Sequence, residues 1–108
     1  MENSELKTGA TVLKDQIEYQ NGTIVSKQLI KQQNGNVTIF AFSKDENLSE
    51  HTSPFEAMVF IADGEMEIKI GGVPHTVKKD EMIMLPAGVP HGLVALTDAK
   101  MMLIMIKG

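Results

Sequence analysis

Four turn-forming pairs divide this chain into short pieces: Asn21-Gly22, Asn34-Gly35, Asp63-Gly64 and Gly71-Gly72. Such pairs supply the positive φ angles that tight hairpin turns demand. Between them lie β-prone runs at 23–30, 37–42, 57–62, 65–70, 73–77, 82–85, 91–97 and 100–106. Many short strands with frequent turns predict an all-β sandwich or barrel with almost no helix. No repeat or low-complexity segment interrupts the pattern.

Alternation along the runs adds detail. Glu65, Glu67 and Lys69 fall on one face of their strand, and Met66, Ile68 and Ile70 on the other, as in a half-buried strand. The runs 37–42 and 101–106 are apolar on both faces. One of those faces fills the barrel, and the other must be covered by a second sheet or by another subunit, which predicts a homodimer. Residues 1–22 carry weak patterning and are assigned as an N-terminal arm that docks on the barrel or a dimer partner, or frays; residues 23–108 are assigned to the barrel.

The bulk properties set limits on function. A chain of 108 residues is one domain, and at this size about two-thirds of the unfolded surface becomes buried. It contains no cysteine, which excludes disulfides, thiolate metal sites and cysteine nucleophiles, and suits a reducing compartment. The polar, acidic start lacks the layout of a secretory signal. No apolar run approaches the roughly 20 residues of a membrane span, so a cytoplasmic protein without a membrane partner is expected. A net charge of −4 argues against nucleic acid. All ten cationic residues are lysines, so no guanidinium fork is present to grip an anionic ligand.

Eight methionines stand against five aromatic residues. Methionine fills irregular core gaps, which is the plain reading; soft thioether ligation of copper is the alternative. Met101, Met102 and Met105 lie in an apolar, strand-like run, which favours the core reading.

Two segments carry the chemistry. From Leu48 the chain reads Leu-Ser-Glu-His-Thr-Ser-Pro-Phe-Glu-Ala-Met-Val-Phe-Ile-Ala-Asp-Gly-Glu, and from Asp80 it reads Asp-Glu-Met-Ile-Met-Leu-Pro-Ala-Gly-Val-Pro-His-Gly-Leu-Val-Ala. Together they resemble the two motifs of the cupin superfamily, in particular its small single-domain conserved-barrel members, over about residues 35–106. The first family motif runs His-x-His, a glutamate three or four residues on, and a glycine seven further. The second runs glycine, five residues, Pro-x-Gly, two residues, histidine, three residues, asparagine. His51 and Gly64 match the first motif, and Pro86, Gly88 and His91 match the second. Ser53 stands in place of the second histidine, Ala57 in place of the glutamate, Asp80 in place of the first glycine and Ala95 in place of the asparagine. The resemblance implies a jelly-roll β-barrel (a double-stranded β-helix) that commonly pairs as a homodimer and holds a divalent ion at its mouth.

Barrel-lining side chains recur every second residue, so a His-x-His pair places both imidazoles inside and a later histidine closes the site from an adjacent strand. With Ser53 and Ala57 substituted, His51 and His91 remain as metal candidates, joined by His75 if its strand turns that face inward. Three such histidines would hold zinc, iron or manganese; two would leave the chain with weak metal binding or none. Ser53, Phe55, Ala57, Val59 and Ile61 are the expected pocket residues. Glu50 and Glu56 flank the pocket segment as candidate general bases, although a loop carboxylate is more often simply solvated. Three readings follow: a small-molecule-binding barrel with a degenerate metal site, a metal-dependent enzyme of oxygenase, isomerase or lyase type, and a filled structural or interaction barrel. The first is preferred, with a small, mostly apolar ligand.

Overall fold

The computed structural model describes residues 9–107. After one 3-10 turn at Leu13–Gln16 come strands β1 (Ile24–Gln32), β2 (Gly35–Phe42), β3 (Asn47–His51), β4 (Glu56–Asp63), β5 (Glu65–Ile70), β6 (Val73–Lys78), β7 (Met82–Leu85), β8 (His91–Ala95) and β9 (Ala99–Ile106). They form a five-stranded sheet in the order β1-β2-β9-β4-β7 and a four-stranded sheet in the order β3-β8-β5-β6. Every pairing is antiparallel. The two sheets face one another as a jelly roll, so the expected all-β class is the observed one. β3 lies outside the runs picked from sequence. No helix among the described residues is long and apolar enough to cross a membrane.

Strand alternation decides which side chains meet between the sheets. Phe42, Val59, Ile61, Met66, Ile68 and Met101 are almost wholly buried in one cluster drawn from both sheets. Each contributes about 1.5–3 kcal/mol relative to an exposed position. The opposite parity of β2 carries Ile39 and Ala41 to the outer face, where they join Ile17 and Leu29 in a second cluster.

That second cluster supplies part of the cover demanded by the two-faced strands. Leu13, Ile17 and Tyr19 of the N-terminal segment pack over it. The segment is tied down by polar contacts as well. Lys100 is buried on the outer side of β9; its Nζ donates to the Lys14 carbonyl at 2.7 Å and lies 4.7 Å from the centre of the Tyr19 ring. The Tyr19 hydroxyl donates to Asp63 Oδ2 at 2.7 Å. Burial, the bond to Asp63 and the charges of Asp63 and Asp98 all push its pKa upward, so it remains a donor throughout the physiological range. Residues 1–8 of the assigned arm, and residue 108, lie outside the described residues.

Cover by the arm is incomplete. Across β7, β4 and β9 the outer face presents Met84 opposite Met58, Met82 opposite Phe60, and Phe60 opposite Met102. Met82 is 51% exposed, Met84 48% and Ile106 55%.

Gly64 is the corner at which the chain leaves one sheet for the other, between β4 and β5, with φ +75°. A β-carbon there would collide with the Asp98 carbonyl and sit 2.7 Å from Thr97 Oγ1 and 2.9 Å from Ala99 Cα. Asp80, which replaces the second motif's first glycine, also has positive φ (71°), a conformation that aspartate tolerates better than most side chains. Gly64→Ala therefore lowers the unfolding free energy by about 3 kcal/mol or more, because strain and a backbone clash add. Gly22→Ala, at φ +73° with nothing nearby, costs only about 1 kcal/mol. Urea unfolding of the two variants measures the difference.

Candidate functional site

His51 and His91 are direct partners across β3 and β8. A bulge makes them so. Leu48 pairs with Leu93, yet the next inward pair is His51 with His91, so β3 spends three residues where β8 spends two. Simple alternation from Leu48 would have sent Glu50 inward; the extra residue sends His51 instead. Glu50 lies on an outer groove with Glu67 and Lys69.

The second motif folds to present His91. β7 ends at Leu85, the 86–90 segment turns through Gly88 at φ +79°, and β8 begins at His91. That turn is fastened to the first motif: Gly88 N donates to the Ser53 carbonyl at 2.8 Å, and Ala87 N donates to Glu56 Oε2 at 3.3 Å. Glu56 thus holds the mouth loop together and is not among the cavity's lining residues.

The two imidazoles meet edge to face, with ring centres 4.5 Å apart and planes at 70°. His91 is 7% exposed, whereas His51 is open to solvent at the rim. Nδ1 of His51 lies 2.8 Å from the Ser49 carbonyl, and Nδ1 of His91 lies 3.3 Å from the Val89 carbonyl. A carbonyl only accepts, so each ring donates from Nδ1, and in the neutral form Nε2 is left as the lone pair.

These side chains close one end of a cavity of about 60 Å³ between the sheets. The facing wall is set by register. Met105, Ala57 and Leu85 form the row at the mouth of the five-stranded sheet, and Leu103 with Val59 forms the next. Leu48 and Leu93 line the other sheet beneath the histidines, Met101 closes the deep end, and Ser53 stands at the rim. Among the expected pocket residues, Ser53, Ala57 and Val59 are brought together. Ile61 has the inward parity but lies deeper, fully buried in the core rather than on the cavity. Phe55 is in the loop outside, where the Lys107 ammonium sits 5.5 Å from its ring centre. Leu48, Leu85, Leu93, Met101, Leu103 and Met105 went unread. The one signal available for them was their two-residue spacing from His91 or from one another.

His75 does not join the pair. It sits opposite Ile68 on β6, so its parity is inward, but β6 is the free edge of its sheet and the side chain is exposed. The β5 strand separates it from β8, a spacing of about 10 Å. Among the described residues no three His, Asp or Glu side chains converge on a metal position. The nitrogen and oxygen donors of the lining side chains are two imidazoles and one hydroxyl, a set that does not fit a zinc, iron or manganese ion.

Electrostatics in the cavity favour a neutral His91. Burial first, and the neighbouring His51 second, lower the His91 pKa from its ordinary 6.5, while the Val89 carbonyl opposes them. A native pKa below the unfolded one means that the unfolded chain binds more protons as pH falls. The stability contributed by neutral His91 is therefore complete above about 6.5 and is lost as pH drops through that value and below. Denaturant unfolding from about pH 7.5 to about pH 5 should show this loss in the wild type and a shallower slope in His91→Asn. Identical slopes would remove His91 as its source.

The comparisons with known proteins agree with this fold. The family model described as "Cupin domain" matches residues 38–107. A conserved protein of unknown function from Streptococcus pyogenes superposes with TM-score 0.92 at 29% identity, covering 98% of this chain and 93% of that one. A cupin 2 conserved barrel domain protein from Leptotrichia buccalis is 43% identical with TM-score 0.83 over 87% of this chain; the match spans 46% of that protein, just under half its length. A cupin superfamily protein from Desulfitobacterium hafniense shares the fold at TM-score 0.90 and 20% identity, covering 95% of this chain and 94% of that one. No curated protein matches the chain. With the family model spanning well over half its length, the chain belongs to the cupin domain family.

Proposed function

We propose that this cupin is a small-molecule-binding barrel in which the family's metal position has become an apolar cavity with a two-imidazole end. The observation that carries this reading is the composition of one cavity. Two Nε2 lone pairs face a wall of aliphatic and thioether side chains, and Ala57 stands where the family carries its carboxylate. A void of about 60 Å³ holds on the order of four water-sized groups, so it admits a very small molecule or the narrow end of a larger one. A hydrogen-bond donor on that group would satisfy an imidazole while its carbon atoms meet Leu93, Leu103 and Met105. The metal-dependent enzyme reading loses support because the donor set lacks both a third imidazole and a carboxylate. The filled-barrel reading loses support from the void itself.

Short-chain alcohols such as propanol and butanol test the reading, since each couples one donor to a small apolar body. Methyl resonances of Leu48, Leu93, Leu103 and Met105 should shift with a dissociation constant of roughly 1 mM, as expected for so few atoms. Ala57→Leu, which fills the row between Met105 and Leu85, should weaken binding by about tenfold or more. Equal affinity in the variant, or no shift at these methyls, would contradict the proposal.

For the outer face we propose a second copy of the chain as the partner. The uncovered surface around Met58, Phe60, Met82, Met84 and Met102 carries no charged side chain in its cross-strand pairs, which suits a self-complementary two-fold contact. Light scattering at concentrations on the order of tens of micromolar should give a dimer, and Phe60→Asp with Met84→Lys should give a monomer. A monomeric wild type would overturn this partner.

A further inference from the structure

We infer that residues 13–19 form a releasable strap: fastened to the barrel through Tyr19 and Lys100, the segment opens while the barrel stays folded, and so sets how much of the apolar outer face of the five-stranded sheet is exposed. The strap does not line the cavity, and its release requires neither a ligand nor a partner.

Side-chain contacts alone attach the segment. Among the described residues no backbone hydrogen bond joins 9–19 to a strand; the 3-10 turn closes on itself, with Asp15 N donating to the Val12 carbonyl. The Lys100 and Lys27 ammoniums donate to the Lys14 and Gln16 carbonyls, and the Tyr19 hydroxyl donates to Asp63. Leu13, Ile17 and Tyr19 pack with Leu29, Ile39 and Ala41, none of which belongs to the cluster between the sheets. An element with no ladder bonds and a cluster of its own is the kind that opens ahead of the rest of a fold. The chain has a pivot for this movement at Gln20, Asn21 and Gly22, all exposed. Gly22 stands at φ +73°, with no atom within 4 Å of the place a β-carbon would take.

Both states satisfy their polar groups. Lys100 and Asp63 are cross-strand partners on β9 and β4, yet each turns to the strap. The buried Lys100 ammonium meets the Lys14 carbonyl at 2.7 Å and the face of the Tyr19 ring, and the Asp63 carboxylate accepts from the Tyr19 hydroxyl. A cation and an anion of the barrel thus have their partners on the strap. Lifting it hands both to water and leaves neither buried and unpaired, so opening costs chiefly the apolar contacts of three side chains.

Release has a consequence because of what lies beneath. Ile39 is opposite Met102 on β9, Met102 is opposite Phe60 on β4, and Phe60 is opposite Met82 on β7. This one outer row crosses four strands, with Ile39 fully buried at the strap end and Met82 exposed at the other. With the strap down its β2 end is covered; with the strap lifted the row is open from β2 to β7.

Tyr19 is the chain's one tyrosine and there is no tryptophan, so tyrosine fluorescence reads the strap alone, while far-ultraviolet circular dichroism reads the barrel. Urea titrations of the full chain followed by both probes are the test. In the wild type the fluorescence transition should come first and with the shallower slope, because lifting the strap exposes less surface than unfolding the barrel. Lys100→Met, which removes the ammonium from the Lys14 carbonyl and the Tyr19 ring, should lower the fluorescence midpoint by roughly 1 M urea and leave the dichroism midpoint in place. Ile17→Asp puts a charge where the strap is most buried, and should give the fluorescence of an open strap before any urea is added, over an unchanged barrel spectrum. Coincident transitions in the wild type would overturn the strap's independence, as would variants whose two midpoints fall together or an Ile17→Asp chain that does not fold.

Discussion

The alternation of each strand between the two sheets is the constraint from which the rest of the molecule follows. A strand that lies between a packed interior and an outer face has to commit every second side chain to one of them. For β5 the commitment is plain, since Met66 and Ile68 are buried while Glu67 and Lys69 face outward. For β2 and β9 both parities are apolar, and the fold supplies two destinations. Phe42 and Met101 enter the dry interior; Ile39 and Ala41 meet the N-terminal segment on the far side. Shifting any of these strands by one residue would exchange the two sets, so register is held from both faces at once.

The site is the point where alternation is broken on purpose. One extra residue in β3 places an imidazole opposite an imidazole, and the turn after β7 is hydrogen-bonded to the loop before β4 so that both motifs share one rim. Substitution of Ser53 and Ala57 then changes the chemistry without changing the scaffold. With Ala57 and Ser53 in place, the mouth is an apolar hollow with two imidazoles at its edge. The low dielectric of that hollow disfavours a charged His91, and its neutral form is the one that can accept a hydrogen bond.

Much of the scaffold was legible because turn chemistry and parity are local. Of the four glycine pairs, Asn34-Gly35 and Gly71-Gly72 mark hairpins, whereas Asp63-Gly64 turns the corner between the sheets and Asn21-Gly22 precedes β1. The cavity brings together His51, Ser53, Ala57 and His91. β3 was missed because Asn47–His51 is polar, holds a single inward leucine and carries a bulge, so no alternation survives to be read. The arm's docking was undecided because Leu13, Ile17 and Tyr19 follow no strand or helix period; they pack as an irregular strap. His75 shows the limit of parity alone. Its face was inward as spacing allowed, but strand order, which is a non-local property, put it on a sheet edge away from the other histidines. The same limit hid Met105, whose run is apolar on both faces and so gives no sign of which methionines turn inward.

The account rests on both rings holding their proton on Nδ1 and leaving Nε2 open. Long-range proton–nitrogen correlation spectra of the imidazole nitrogens, recorded near pH 8 where ordinary histidines are neutral, measure this directly. The predicted result is an unprotonated Nε2 and a protonated Nδ1 in both His51 and His91, with both Nδ1 protons protected from rapid exchange by the Ser49 and Val89 carbonyls. A proton found on Nε2 of either ring, or two freely averaging tautomers, would contradict the geometry on which the cavity's chemistry depends.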